Sequence, residues 1–276
     1  MTSLPPSVAS RTPNLYGCDK PDLRFDVELK DMNDLAARSS FTTFKEIVKE
    51  GGYVKALCAP KSDSVDFSRK YITELESAAK VYGAQGLAWM KVGENKSISG
   101  GVSKFFEGLE DEIINLFDAK DGDMILFVAH KEWKKACASL SAVRSKLGKD
   151  LNLIKPTFEF CWIVDFPLFE FNEDRNQWEA AHHMFSMPQL EYLDTMEEDP
   201  GKVKGDLYDL VLNGYEVASG SIRIHDVELQ KRIFRICNFS DEVAQERFGF
   251  LLNAFTFSPP PHGGIAPGID RIVMIM

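Results

Sequence analysis

The chain has 276 residues, of which 44% are hydrophobic and 27% charged, with a net charge of −10. This is the composition of a folded protein, not of a disordered, collagen-like or coiled-coil one, and no apolar run approaches the roughly 20 residues of a membrane span. The acidic balance, with a pI near 5.1, argues against nucleic-acid binding over the whole surface.

Residues 1–15 are rich in Pro, Ser and Thr and lack an apolar period, so a mobile tail is expected there. MTSLPPSVAS has neither the basic start nor the apolar stretch of a secretory signal. Cys18, Cys58, Cys137, Cys161 and Cys237 are far apart and form no C-x-x-C pair. That spacing speaks against a zinc site or a disulfide framework and for a reducing compartment.

From residue 41 to 155 the chain carries 18 Lys and Arg against 16 Asp and Glu. Helix and strand signals alternate there. Phe44, Ile47 and Val48 predict a short helix closed by Gly51-Gly52, and YVKALCA a strand. Phe67, Tyr71, Leu75, Ala78 and Tyr82 predict a helix stopped by Gly83. LAWMKV is a second strand, Phe105 to Phe117 a helix, MILFVAH a third strand, and 133–147 a helix ending at Gly148. The Lys and Arg of these helices read as a solvated face.

From residue 156 onward there are 9 basic against 20 acidic residues, so a second domain is expected. FEFCWIVDF, PLFEF, WEAAHHMF, DLYDLVLNG and YEVASGSIRIH read as strands. Helices follow over 227–237 and from Asp241 to Ala254, the latter capped by Ser240. SPPPHGG is a loop, and GIDRIVMIM opens a helix. Strands followed by helices predict a mostly antiparallel sheet with helices packed on it.

Asn213-Gly214 is a hairpin signal, because a type I′ turn needs positive φ at both positions. That turn pairs Val211 with Glu216 and sets Asp209 diagonal to Glu216 on one face. Two carboxylates so placed suit a cation such as magnesium, which takes one or two carboxylates plus phosphate oxygens; a solvated outer face is the other reading. Strict alternation puts Arg223 on the opposite face, and a bulge at 218–220 would return it to that of Glu216. There it could clamp a carboxylate, or it could be an ordinary surface arginine. One imidazole of His182-His183 could bind a small anionic substrate or be structural. Gly263, Gly264 and Gly268 permit close backbone approach, and Gly268 opens a helix whose first turn carries Arg271. Asp165, before Pro167, reads as structural.

YGCDKPDLRF, AKVYGAQGLAWMKV, WIVDFPLFE, HHMFSMP, YDLVLNGYEVASGSIRIH and GGIAPGIDRIVMIM together resemble the bacterial-type aspartyl-tRNA synthetases, which are class II aminoacyl-tRNA synthetases. The resemblance runs from Tyr16 to Met276. It implies an α+β chain: part of the class II antiparallel sheet with its helices, plus an inserted α/β domain. Residues 16–40 would be a catalytic-domain segment, 41–155 the insertion domain, and 156–276 the catalytic domain with the third class II motif. It also implies ATP-dependent activation of aspartate and transfer to tRNA(Asp), with ATP and Mg2+ as cofactors, in a cytoplasmic (or mitochondrial or plastid) homodimer with no membrane partner. His182 and Arg223 would bind aspartate. Glu216, Gly268, Ile269, Asp270 and Arg271 would line the ATP site, and Asp209 and Glu216 would hold the metal. The anticodon β-barrel, the first two class II motifs and the aspartate-binding lysine are not found in this sequence, so a synthetase piece completed by another half is expected. A truncated paralogue binding RNA or protein is the alternative. Ala218 and Ser219 stand where the family usually has glycines.

Overall fold

The computed structural model describes residues 12–276. Residues 1–11, most of the expected tail, lie outside the described residues. The chain divides after Glu159 into two compact units.

The first unit contains α1 (Thr12–Tyr16), β1 (Leu29–Asp31), α2 (Asn33–Arg38), α3 (Thr42–Lys49), β2 (Tyr53–Ala59), α4 (Arg69–Lys80), β3 (Ala88–Gly93), β4 (Ser97–Ser99), α5 (Glu110–Phe117), β5 (Met124–His130) and α6 (Trp133–Asp150). Its five strands form one sheet in the order β1-β2-β5-β3-β4, with every neighbouring pair antiparallel. β2 and β3 both run against β5, so they run with each other and flank it. This is a split β-α-β arrangement with α4 as crossover. Leu126 and Val128 of β5 pack under α4 and α6 with Leu75 and Leu140. Ile125 and Phe127 pack on the other face with Phe44 and Phe106. A strand covered on both faces has no solvent side, which is why MILFVAH reads as one continuous apolar run.

Four expectations change here. Residues 16–40 belong with this unit rather than with the second, because β1 pairs with β2 and the preceding loop is bound by Arg144. Arg144 is 2% exposed and donates to the carbonyls of Val27 at 2.6 Å, Asp22 at 2.8 Å and Phe25 at 3.0 Å. Its guanidinium also lies 4.0 Å from the Phe25 ring centre. Second, α6 continues through Gly148 to Asp150. That glycine admits Phe25, whose ring would be 2.6 Å from an added Cβ. Third, the helix expected from Phe105 begins only at Glu110, after a 3-10 turn at Ser103–Phe105. The expected tail also ends early, since α1 starts at Thr12.

The second unit contains β6 (Phe160–Ile163), β7 (Phe169–Asn172), β8 (Gln177–Ala180), β9 (Leu207–Leu212), β10 (Tyr215–Ile222), α7 (Val227–Ile236), α8 (Asp241–Phe255), β11 (Gly263–Pro267) and α9 (Ile269–Ile275). Four strands form an antiparallel sheet in the order β11-β10-β9-β6, and β7 and β8 form a separate hairpin. α7 and α8 begin at side-chain caps: Asp226 accepts from Leu229 N at 2.7 Å and Ser240 from Val243 N at 3.3 Å. The core of Leu168, Phe169, Leu207, Ile224, Ile233 and Phe255 joins the hairpin, the sheet and both helices. Gly263 and Gly264, expected in a turn, lie in β11 at the sheet edge. Gly220 lets β11 approach, since a Cβ there would sit 2.2 Å from the Gly264 carbonyl oxygen. Asp165 is anchored structurally: Gln189 Nε2 donates to its carboxylate at 2.8 Å.

Candidate functional site

The site is built on the β9–β10 hairpin. Asn213 and Gly214 have φ of 52° and 88°, as a type I′ turn requires, and Leu212 pairs with Tyr215 and Val211 with Glu216. Past Glu216 the register shifts, so that Ala218 pairs with Leu210 and Ser219 with Asp209. Val217 is therefore the extra residue. The expected bulge exists, but it lies before 218–220. Its position is set from outside the hairpin: Gly268 N donates to Val217 O at 2.8 Å, tying the start of α9 to the bulge.

The shift decides which side chains share a face. Paired residues of an antiparallel sheet point the same way, and alternate residues of a strand do too. Asp209, Val211, Glu216, Ser219 and Ser221 thus lie on one face. Arg223 continues that alternation one residue past the end of β10, where it bridges to Ser186. Without the extra residue, Arg223 would be on the other side.

Asp209 is 7% exposed and stands diagonal to the half-buried Glu216. Among the described residues no group of three or more His, Cys, Asp or Glu could hold a metal. Two same-face carboxylates without a third ligand are no closed protein cage. They do fit magnesium, which takes few protein ligands and fills its shell with phosphate oxygens and water.

Arg271, in the first turn of α9, donates from Nη1 to Glu216 O at 2.7 Å and lies 3.5 Å from the Glu216 carboxylate. Glu216, Ser219, Gly268, Ile269, Asp270 and Arg271 line one cavity of about 420 Å³. Five residues expected at an ATP site are thereby brought together, and Asp209 pairs across the strand with their neighbour Ser219.

Arg223 is not among the residues that line that cavity. Its Nη1 lies 3.0 Å from His183 Nδ1 and also contacts Nε2 of the same ring. His182, the histidine expected at the substrate, is exposed and packs edge-on against Phe166 with ring centres 5.0 Å apart. Ser186 Oγ is 3.3 Å from His183 Nδ1. Burial first, then the charges of Arg223 and His182, hold the His183 pKa below its ordinary value. Both histidines line a second cavity, of about 430 Å³, with Phe185, Phe239 and Phe248. Sequence reasoning named the histidine pair but not the member on the arginine, nor Ser186. The pairing of Ser186 with Arg223 is non-local and leaves no short-range signature.

Among the described residues no helix is long and apolar enough to cross a membrane. Residues 6–276 match the family model "tRNA synthetases class II (D, K and N)". The chain is 61% identical over 265 residues to an aspartate–tRNA(Asp/Asn) ligase of Treponema denticola, covering 95% of this chain and 45% of the relative. It is 51% identical over 262 residues to that of Treponema pallidum, covering 95% and 43%. Identity to an aspartate–tRNA ligase of Macrococcus caseolyticus is 50% over 263 residues, covering 95% and 44%. The chain thus spans less than half the length of these curated relatives. With the family model matched from residue 6 to the last residue, the chain belongs to the class II tRNA synthetases of the D, K and N group.

Proposed function

We propose that this chain carries part of the active site of an aspartate–tRNA ligase, which activates aspartate with ATP and transfers it to tRNA(Asp). The names of the Treponema relatives extend the proposal to tRNA(Asn). The observation that carries it is the bulge at Val217, which aligns Arg223 with Asp209 and Glu216 on one face.

Arg223 would clamp the side-chain carboxylate of aspartate through two parallel hydrogen bonds, a geometry a lysine does not offer. His182 would contact the same substrate from the loop after β8. Gly268, Ile269, Asp270 and Arg271 would form one wall of the ATP site, with Arg271 directed to the nucleotide. Asp209 and Glu216 would hold Mg2+, whose charge offsets that of the phosphates. In that frame the amino acid and the nucleotide meet on the face of β10 between Glu216 and Arg223. Preorganised charge of this kind lowers the barrier to forming the mixed anhydride of aspartate and AMP.

The test is binding of a non-hydrolysable aspartyl-adenylate analogue to the purified chain by calorimetry, alongside aspartate-dependent exchange of pyrophosphate into ATP, with the asparaginyl analogue and asparagine as controls. Binding selective for the aspartyl analogue and lost in Arg223→Gln is the expected result. A folded chain that ignores both analogues and catalyses no exchange would overturn the proposal.

A further inference from the structure

Arg223 can serve as a carboxylate clamp only if one edge of its guanidinium is held in place. Among the described residues no carboxylate stands within ion-pair distance of it. The side chain that meets it is His183, in contact with Nη1 through both ring nitrogens. We infer that His183 is the positioning residue of Arg223: as a neutral imidazole it accepts a hydrogen bond from Nη1 and leaves the rest of the guanidinium free for a substrate carboxylate. This rests on the reading of Arg223 given under Proposed function.

Three features support the role. A guanidinium has only donors, so of the two ring nitrogens beside Nη1 the one that takes its hydrogen is the unprotonated nitrogen of a neutral imidazole, and an imidazolium has none. The surroundings favour the neutral form, since burial and the Arg223 charge both hold the His183 pKa down. A buried hydroxyl also meets the same two nitrogens of the ring. Ser186, fully buried, places its hydroxyl 3.3 Å from Nδ1. Ser186 is in turn pinned by its bridge to Arg223, and Ile224 N donates to Phe185 O at 3.0 Å. The other titratable groups around the ring are His182 beside it and Arg175, Glu179 and Cys237 on the walls of the adjoining cavity. An acidic residue at 183 would hold Arg223 more tightly but neutralise it and compete with the substrate. A neutral acceptor orients the guanidinium and leaves its charge available.

The experiment uses the full chain with ¹⁵N-labelled histidine. The histidine ring nitrogens are followed by NMR from about pH 5 to about pH 8, the range in which imidazole titrates, and His183 is assigned by its loss in His183→Gln. A midpoint for His183 below the ordinary histidine value, moving upward in Arg223→Gln, is expected. A midpoint indifferent to Arg223→Gln overturns the inference. Aspartate is then added, with asparagine as control. His183→Gln keeps a neutral acceptor and should bind aspartate within about threefold of the native chain. His183→Phe keeps the ring but not the acceptor and should lose about tenfold or more in aspartate affinity with ATP affinity unchanged, the size of one charge-assisted hydrogen bond. Equal losses in both variants overturn the role. If the midpoint moves but the histidine signals ignore aspartate and asparagine alike, the pairing is supported while the proposed ligand is overturned.

Discussion

Arg271 and Glu216 are joined twice: the guanidinium donates to the main-chain carbonyl of Glu216 at 2.7 Å and lies 3.5 Å from its carboxylate. Arg271 is 53% exposed, so the ion pair itself contributes at most about 1 kcal/mol. Substituting either side chain should therefore leave the fold intact and change ligand binding. Glu216→Gln is expected to raise the magnesium concentration required for nucleotide binding by about tenfold, the loss of one charged ligand. A magnesium titration of ATP affinity reads this directly, and an unchanged curve removes Glu216 from the metal site.

Arg223→Lys retains the charge and loses the planar fork. Aspartate affinity should fall by about a hundredfold, with ATP affinity unaffected. Isothermal titration with each ligand separately distinguishes this from a general loss of folding.

Arg144→Met should destabilise the first unit by about 3 kcal/mol or more. The substitution leaves the carbonyls of Asp22, Phe25 and Val27 without their donor, and a buried unpaired group costs about 1–3 kcal/mol. Urea unfolding followed by the tryptophan fluorescence of Trp89 and Trp133 measures it. A piece of the chain beginning at residue 41 would lack the same three acceptors and should be less stable than one beginning at residue 16.

Gly220→Ala brings a methyl group within 2.2 Å of Gly264 O. The clash is with backbone, so β11 must move away from β10 at a cost of about 1–3 kcal/mol. Faster amide exchange confined to 263–267, together with weaker ATP binding, is the expected signature.

Asp22 predicts a pH dependence of stability. Burial alone would raise its pKa, but the hydrogen bonds from Arg24 and the charges of Arg24 and Arg144 outweigh it and hold the carboxyl below its ordinary value of 3.8. A depressed carboxylate stabilises the fold above its unfolded pKa, and that contribution is lost as pH falls through the folded one. Unfolding free energy of the first unit should be level with respect to this group above about pH 5 and decline below pH 4. Asp22→Asn should flatten the decline.

The β9–β10 hairpin was legible in two residues, because Asn213-Gly214 fixes its own turn and the turn fixes the pairing of Val211 with Glu216. Three strands of the first unit, β2, β3 and β5, were legible from their apolar runs, whereas the short edge strands β1 and β4 were not, and α8 was legible from its serine cap. What escaped was set by distant partners. The bulge falls at Val217 because Gly268, about fifty residues later, binds its carbonyl. Residues 16–40 join the first unit because Arg144, more than a hundred residues away, needs their carbonyls. His183 rather than His182 meets Arg223 because the segment after β8 leaves regular alternation, and with it the rule that says which side a residue faces.

The extra residue at Val217 makes the face on which Arg223 stands a matter of the number of residues in this stretch. Replacing a side chain between Glu216 and Arg223 leaves that number unchanged. Deleting Val217 restores regular pleating, turns Arg223 away from the two carboxylates and removes the carbonyl that anchors α9. One frame-preserving deletion would disconnect the amino-acid and nucleotide halves of the site at once, while every functional side chain named for them remained in the chain.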